Sequence, residues 1–409
     1  MNSSKISQTN DISGYLLIYF VIGFSVIPFF TEKPDLLAII TIVLAIYIIS
    51  KSRLTLERHF LWVLAFLFLM YMGQLLTLRL TSIDYRSIFG TFIRFLFPYL
   101  VLLFLGKRFF YMFTKVVYGL TLIVLIFWTA DNLIPNFTYG IKSISEKFQL
   151  DQESNENILI YNAENHLIYG VIKNAGFAYE GGAYSIILII AIIFNLVINK
   201  YLFDRKTKVL IFALITTFST AGYIALALIF YGLFFTKIIN KFRLIIFSAF
   251  FLSILVYSYT TLSFLEEKID TQIELTQDPF ATRGRFASAM ADLLEWQRNP
   301  FFGVGKFEET RFAIFKDINQ QHRVNGLASL LAKYGLVVFV GYLFVLYNSL
   351  RKFNYHFLQT DKFVIFQFMA LMSLAFAQEC MTWSVLIILL YLPLIENKNY
   401  IPLYNYDSK

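Results

Sequence analysis

A helix that crosses a bilayer needs about 20 apolar residues, and runs close to that length recur along most of this chain. They fall near residues 12–30, 35–50, 60–78, 87–105, 110–130, 182–203, 208–220, 222–238, 243–261, 335–350, 363–378 and 381–396, about twelve in all by hydropathy. The stretch from Val209 to Thr236 is long for one span and short for two. The polar run from Thr216 to Gly222 breaks it at a membrane face. Two long hydrophilic segments interrupt the series, about 131–181 and about 261–334. Long loops without the composition of disorder usually carry function. The second has helical periodicity. Leu262, Leu265, Ile269 and Ile273 make one apolar stripe. Phe286, Met290, Leu293 and Leu294 make another, opposite Arg285, Ser288, Asp292 and Glu295. Phe307, Arg311, Ile314, Phe315 and Ile318 make a third. These are predicted amphipathic helices that lie on the membrane or pack over the bundle. The expected fold is therefore all-α: a single polytopic transmembrane domain over residues 1–409 with two large outer loops. No internal repeat of the secondary-transporter kind is visible.

Composition supports that reading. The chain is 58% hydrophobic and only 15% charged, against about 25% charged in soluble domains, and its mean hydropathy is +0.63. The formal charge of +8 fits cytoplasmic loop lysines and arginines better than nucleic-acid binding, because no basic cluster sits on a soluble module. Lys51, Arg53 and Arg58, then Lys107, Arg108 and Lys115, then Lys200, Arg205, Lys206 and Lys208 occupy alternate connections. Lys237, Lys241 and Arg243, and finally Arg351, Lys352 and Lys362, continue the pattern. The positive-inside rule then puts both termini in the cytoplasm and both long loops outside. The run from Ile12 to Phe30 reads as an uncleaved span, not a signal peptide. Cys380 is the only cysteine, so neither an intrachain disulfide nor a cysteine-based metal site is available. Histidines and acidic residues are too scattered for zinc or a hard cation, and Ser219 lacks a nucleophile elbow. No metal and no cofactor is expected.

The candidate chemistry lies in the second outer loop. Arg283 and Arg285 fall at the predicted start of a helix. There, guanidinium groups chelate phosphate oxygens in pairs and the helix N-terminus adds N–H donors. The alternatives are lipid headgroups or pairing with Asp278 and Asp292. Asn299-Pro300 ends that helix. Gly303-Val304-Gly305 makes a tight turn, and Gly335-Leu336 opens a span. Glu180 stands at the start of the sixth span: either a helix-start carboxylate favoured by the dipole or a general base in a partly dry pocket. Arg94 is the one basic residue well inside a predicted span, where a charge costs about 2.5–3.5 kcal/mol. It must pair, either with a lipid-borne pyrophosphate or by reaching an interface. Glu379, between the last two spans, reads as an exposed loop carboxylate.

Taken together, Thr282 to Phe286, Trp296, Asn299 to Gly305, His322 and Gly335-Leu336 resemble the outer loop of bacterial O-antigen and capsular polysaccharide polymerases, within the superfamily that also holds O-antigen ligases. The superfamily pattern is close to Arg-x-x-x-Trp, Pro-x-x-Gly-x-Gly, His-Asn, then Gly-Leu. Arg285, Pro300, Gly303, Gly305 and Asn325 match it. Trp296 comes later than the pattern has it, and Val324 stands where the histidine is expected, with His322 nearby. Gly176 to Gly181 resembles the glycine and acidic motif before a central span, and Thr217 to Gly222 a Thr/Ser-rich span end.

The resemblance implies a glycosyltransferase C-like, metal-independent enzyme of the bacterial cytoplasmic membrane, with an extracytoplasmic active site. Its substrate would be an oligosaccharide repeat unit on polyprenyl pyrophosphate, polymerised into O-antigen, capsule or exopolysaccharide. Glu180, His322 and Arg285 would be catalytic, and Arg94, Arg283, Arg285, Arg323 and Asn325 would bind substrate. Membrane lipids, a chain-length regulator and a flippase are the expected partners. Alternatives are a ligase that moves the finished glycan to another acceptor, a lipid-linked oligosaccharide flippase or exporter, and a structural membrane component.

Overall fold

The computed structural model describes residues 3–31, 33–51, 58–78, 85–147, 156–163, 167–168, 170–237, 284–306, 308–312 and 323–396. The chain begins with α1 (Ser3–Val26), the short α2 (Pro28–Thr31), α3 (Pro34–Lys51), α4 (Arg58–Leu78), α5 (Tyr85–Leu105) and α6 (Arg108–Leu133). The first outer loop holds α7 (Phe137–Lys147) and two small antiparallel hairpins. In these, β1 (Glu156–Asn157) pairs with β2 (Asn162–Ala163), and β3 (Leu167–Ile168) with β4 (Val171–Ile172). Then come α8 (Gly181–Ile198), α9 (Arg205–Thr216) and α10 (Thr220–Lys237). Past the second loop lie α11 (Arg285–Trp296), α12 (Glu308–Arg311), α13 (Gly326–Leu358), α14 (Val364–Ala377), α15 (Ser384–Leu390) and a 3-10 turn (Leu392–Glu396).

Each predicted span coincides with helix except 243–261, which lies outside the described residues, as does the stripe of Leu262 to Ile273. Five described helices are long and apolar enough to cross a membrane, and four shorter ones are apolar. This is consistent with a polytopic membrane protein. The count of about twelve crossings stays an expectation, because α15 with its 3-10 turn and α9 are short.

Helix α8 is the centre. It is buried along nearly its whole length, as expected of a helix apolar on all sides, and it packs on α6, α9, α10, α13, α14 and α1. The polar run after α9 does break the chain. Phe218 takes a positive φ of 48°, and α10 restarts at Thr220. The turn is fastened to the start of α8: Ser185 and Ser219 hydroxyls lie 3.2 Å apart. Asn174 donates through Nδ2 to Thr216 Oγ1 at 2.8 Å and through its backbone N–H to Thr216 O at 3.1 Å.

The second fastening is a backbone splice. Helix α13 is broken at Gly335, which has φ 74° and ψ 176°. A break leaves carbonyls on one side and N–H groups on the other without helical partners. The turn at 299–305 supplies both sets. Val304 and Gly305 N–H donate to Ala332 and Lys333 carbonyls at 2.8 and 3.1 Å. Leu336 and Val337 N–H donate to Pro300 and Phe301 carbonyls at 2.9 and 3.3 Å. Gln74 of α4 donates to the carbonyls of Phe302 and Lys333 at 2.9 and 2.7 Å, and Asn299 donates to Thr77 at 2.6 Å. The approach is close enough that both faces must be glycine. A Cβ on Gly303 would lie 2.5 Å from Gly335 N, and one on Gly335 would lie 2.2 Å from Phe301 O.

Helix α11 is amphipathic as predicted, with an orientation that periodicity alone does not supply. Its polar face is the buried one: Ser288, Asp292 and Glu295 are 0% exposed, while Phe286, Met290, Leu293 and Leu294 face outward. Phe286 meets Phe376 of α14 at 5.4 Å between ring centroids. An apolar face turned away from the protein is the arrangement that a lipid surface satisfies.

The splice yields a stability test on detergent-solubilised protein. Gly303→Ala meets backbone and a positive φ together, and is expected to cost about 3–5 kcal/mol, the upper range for single substitutions. Gly106→Ala, with φ 53° but open space around it, should cost about 1–2 kcal/mol, the price of the left-handed conformation alone. Equal melting temperatures for the two variants would contradict the splice.

Candidate functional site

The loop between α14 and α15 is the hub of the site. Gln378 donates through Nε2 to the Glu180 carboxylate in a short contact. Its neighbour Glu379 takes a short ion pair from Lys333 Nζ and a 3.0 Å hydrogen bond from Ser329 Oγ. Tyr342 donates to Met381 O at 2.8 Å, which ties the same loop to α13. Gly326 opens α13 so close to this loop that a Cβ there would lie 2.3 Å from Gln378 O.

The expectation that Glu379 is an exposed loop carboxylate is therefore overturned. Its side chain is 34% exposed and bound by Lys333 and Ser329. Burial pushes the carboxyl up, but the Lys333 ammonium, the Arg311 guanidinium and the Ser329 hydroxyl together outweigh it and hold the group below its usual value.

Glu180 occupies the N-cap of α8 in extended conformation, as the sequence suggested, but its side chain makes no capping hydrogen bond. The carboxylate is turned to Gln378 instead. Arg285 is the first residue of α11, and its guanidinium lies in the field of Glu180. Burial lowers its pKa, and Glu180 works against that shift. Two residues 105 positions apart in sequence are thus brought into electrostatic contact beside one loop.

The other sequence candidates divide. Arg323 is engaged in a buried cluster: its Nε donates to Asp292 Oδ1 at 3.1 Å, and Arg311 makes a short contact to the same oxygen. Asp292 thus pairs with these two arginines rather than with Arg285, as one alternative had it. The cluster joins α11, α12 and the entry to α13. Asn325 caps α13, accepting from Ala328 N–H at 2.9 Å. Its position suits a structural role, with its amide nitrogen buried and, among the described residues, without a hydrogen-bond partner. Arg94 is exposed on α5, roughly 14 Å along the helix from Tyr85. Arg283 and His322 lie outside the described residues.

Sequence reasoning missed Lys306, Lys333 and Tyr334. Lys306 directly follows the second glycine of the turn, and Lys333 and Tyr334 directly precede Gly335. Their adjacency to the glycine signals was the available clue. Lys306 Nζ donates to Thr91 at 3.2 Å and lies 5.5 Å from the Tyr334 ring centroid. Burial first, and then the nearby Arg94, push its pKa down to about 7, against a smaller pull from Glu379. Around this loop, the cations Arg94, Arg285, Arg298, Lys306, Arg311, Arg323 and Lys333 outnumber the carboxylates Glu180, Asp292, Glu295 and Glu379. The imbalance suits an anion of several charges.

Part of this region, including Arg285, Lys306 and Lys333 but not Glu180 or Glu379, falls within a recognised segment. Residues 208–343, about a third of the chain, match the family model described as Wzy_C, O-Antigen ligase. The match covers α9, α10, the glycine turn and the break in α13. It bears out the resemblance to the O-antigen polymerase and ligase superfamily. No curated protein matches the chain.

The ion cluster carries its own prediction. Asp292→Ala leaves Arg311 and Arg323 buried without their counter-ion, and is expected to destabilise by about 3–5 kcal/mol. Arg351→Ala removes a pair whose side chains are 58% and 52% exposed, and should change stability by no more than about 1 kcal/mol. Denaturation of the two purified variants checks this; similar midpoints would contradict the role given to Asp292.

Proposed function

We propose that the protein is a glycosyltransferase that polymerises lipid-linked oligosaccharide repeat units on the outer face of the cytoplasmic membrane. The observation that carries the reading is that Arg285 lies in the field of Glu180, whose carboxylate Gln378 holds beside the Gln378-Glu379 loop, where cations outnumber carboxylates. The superfamily match, which covers Arg285 but neither Glu180 nor the Gln378-Glu379 loop, supports the substrate class.

Transfer of a sugar from polyprenyl pyrophosphate is a displacement at the anomeric carbon. The acceptor hydroxyl oxygen forms the new bond, the bond to the pyrophosphate oxygen breaks, and the acceptor proton must go to a base. Negative charge grows on the pyrophosphate as it leaves. Arg285 answers that need with paired N–H donors. A preorganised donor of this kind is worth about 2.7–4 kcal/mol in the transition state. Arginine stays protonated and is not the base. Glu180, held by Gln378 and not used in capping, is placed to accept or orient the hydroxyl proton. The pair then has divided roles: the carboxylate serves the nucleophile and the guanidinium the leaving group.

A ligase is the second reading, favoured by the description of the matching family. The two share the donor and the chemistry and differ in acceptor. A flippase fits less well, because, Arg94 apart, the charges of the site gather in loops and near helix ends and not along the spans.

In cells, Arg285→Ala should leave the protein in the membrane but abolish polysaccharide longer than one repeat unit. Arg285→Lys should restore little, since a single ammonium does not reproduce the fork. A full-length ladder from membrane-inserted Arg285→Ala would remove the site. If a deletion strain loses attachment while retaining long lipid-linked chains, the ligase reading replaces the polymerase.

A further inference from the structure

Lys306 and Arg94 are neighbours of like charge. Lys306 hydrogen-bonds Thr91, and Arg94 lies three residues further along α5. Among the described residues neither makes an ion pair with a carboxylate. Glu379 acts on Lys306 from a distance, while its close contact is Lys333. The Tyr334 hydroxyl is buried against this group and, among the described residues, has no hydrogen-bond partner. Ser329, Lys333, Tyr334 and Glu379 line a cavity of about 10 Å³ on the Glu379 side of α13. Holding the Lys306 ammonium in a buried place without a counter-ion costs several kcal/mol. A ligand with more than one negative charge would relieve that cost, and the phenol offers it a donor.

The helices that carry Arg94 and Tyr334 also line an apolar crevice. Phe95, next to Arg94, and Val338, one turn beyond Tyr334, line it together with Val63, Leu67 and Tyr342. Arg94 itself is open to the exterior of the bundle, so a ligand can reach the cations from that side. The Gln378-Glu379 loop stands between this pocket and the Glu180–Arg285 pair, since Gln378 bonds to Glu180 and Glu379 to Lys333.

We propose that Arg94, Lys306 and Lys333, with the Tyr334 hydroxyl, form a second phosphate site, which takes the diphosphate of an isoprenoid lipid with its tail in that crevice. The anion site stands on its own geometry. The identity of the lipid rests on the glycosyl-transfer reading. On that reading the departing diphosphate belongs to Arg285, and this pocket holds the acceptor's lipid diphosphate. Holding two such diphosphates at once is a requirement of polymerisation and not of transfer to an acceptor that lacks one.

The test is calorimetric titration of the full-length protein in nanodiscs, with farnesyl pyrophosphate and inorganic pyrophosphate as probes. The wild type should bind two farnesyl pyrophosphates per chain, and Lys306→Gln and Arg94→Gln one each. Lys306→Arg should keep both. Lys306→Gln is expected to melt no lower than the wild type, since it removes a buried charge; unchanged melting with lost binding separates a ligand site from a structural lysine.

Inorganic pyrophosphate should bind at least tenfold more weakly at this site. Equal affinity for both probes would reduce it to a free-phosphate site and overturn the lipid assignment. A wild-type stoichiometry of one that Lys306→Gln leaves unchanged would overturn the site itself. Because Lys306 is shifted down to about 7, the anion binds together with a proton above that pH. Affinity should fall by up to about tenfold per unit from pH 7 to 9, less so in Lys306→Arg; identical slopes count against the proposal. Two sites retained in Arg285→Gln would refute the Glu180–Arg285 reading while leaving this pocket standing.

Discussion

A helix broken inside a membrane protein must have its exposed peptide groups bonded by other protein, because lipid offers them nothing. Here the break at Gly335 and the turn from Asn299 to Gly305 meet that condition for each other. The contact is backbone to backbone, so it tolerates no side chain at Gly303 or Gly335. It also sets where everything chemical stands. Lys306 leaves the turn, Lys333 and Tyr334 end the first half of α13, and all three are held by the same few hydrogen bonds. Glycine residues thus shape the site while taking no part in the chemistry.

Around that splice the charges are unevenly matched. Asp292 neutralises part of the outer cluster and braces α11 against α12 and the start of α13. Glu379 is bound to Lys333. What remains over is positive and lies beside the Gln378-Glu379 loop, with Glu180 and Arg285 on one side and Arg94 and Lys306 on the other. A protein that gathers a surplus of cations beside one loop is prepared for an anion. The outward apolar face of α11 would seat that loop at a lipid surface, where an anion carried on a lipid arrives.

Much of this was legible in the sequence, and the parts that were not share a cause. Span positions follow from apolar runs, because transfer into lipid depends on local composition. The break between α9 and α10, the helix start at Arg285 and the turn at Gly303 follow from local backbone chemistry. Which face of α11 is buried does not, because periodicity groups residues on a face without saying what that face meets. Glu379 looked like a loop carboxylate because its partners, Ser329 and Lys333, are about 50 residues away in sequence. Lys306 is hidden for the same reason: its lowered pKa arises from burial and then from Arg94, neither of which its sequence neighbours reveal. Arg323 and Asn325 were singled out for substrate, and the geometry gives them a brace and a cap.

The most direct test of the account is a transfer reaction with purified protein in vesicles, supplied with a repeat unit on a polyprenyl pyrophosphate. Each new glycosidic bond should release one polyprenyl pyrophosphate as the lipid-linked glycan lengthens. Glycan growth without release of the lipid diphosphate, or no growth by a protein shown to be folded and to bind the substrate, would contradict the claim that the site stabilises a departing diphosphate.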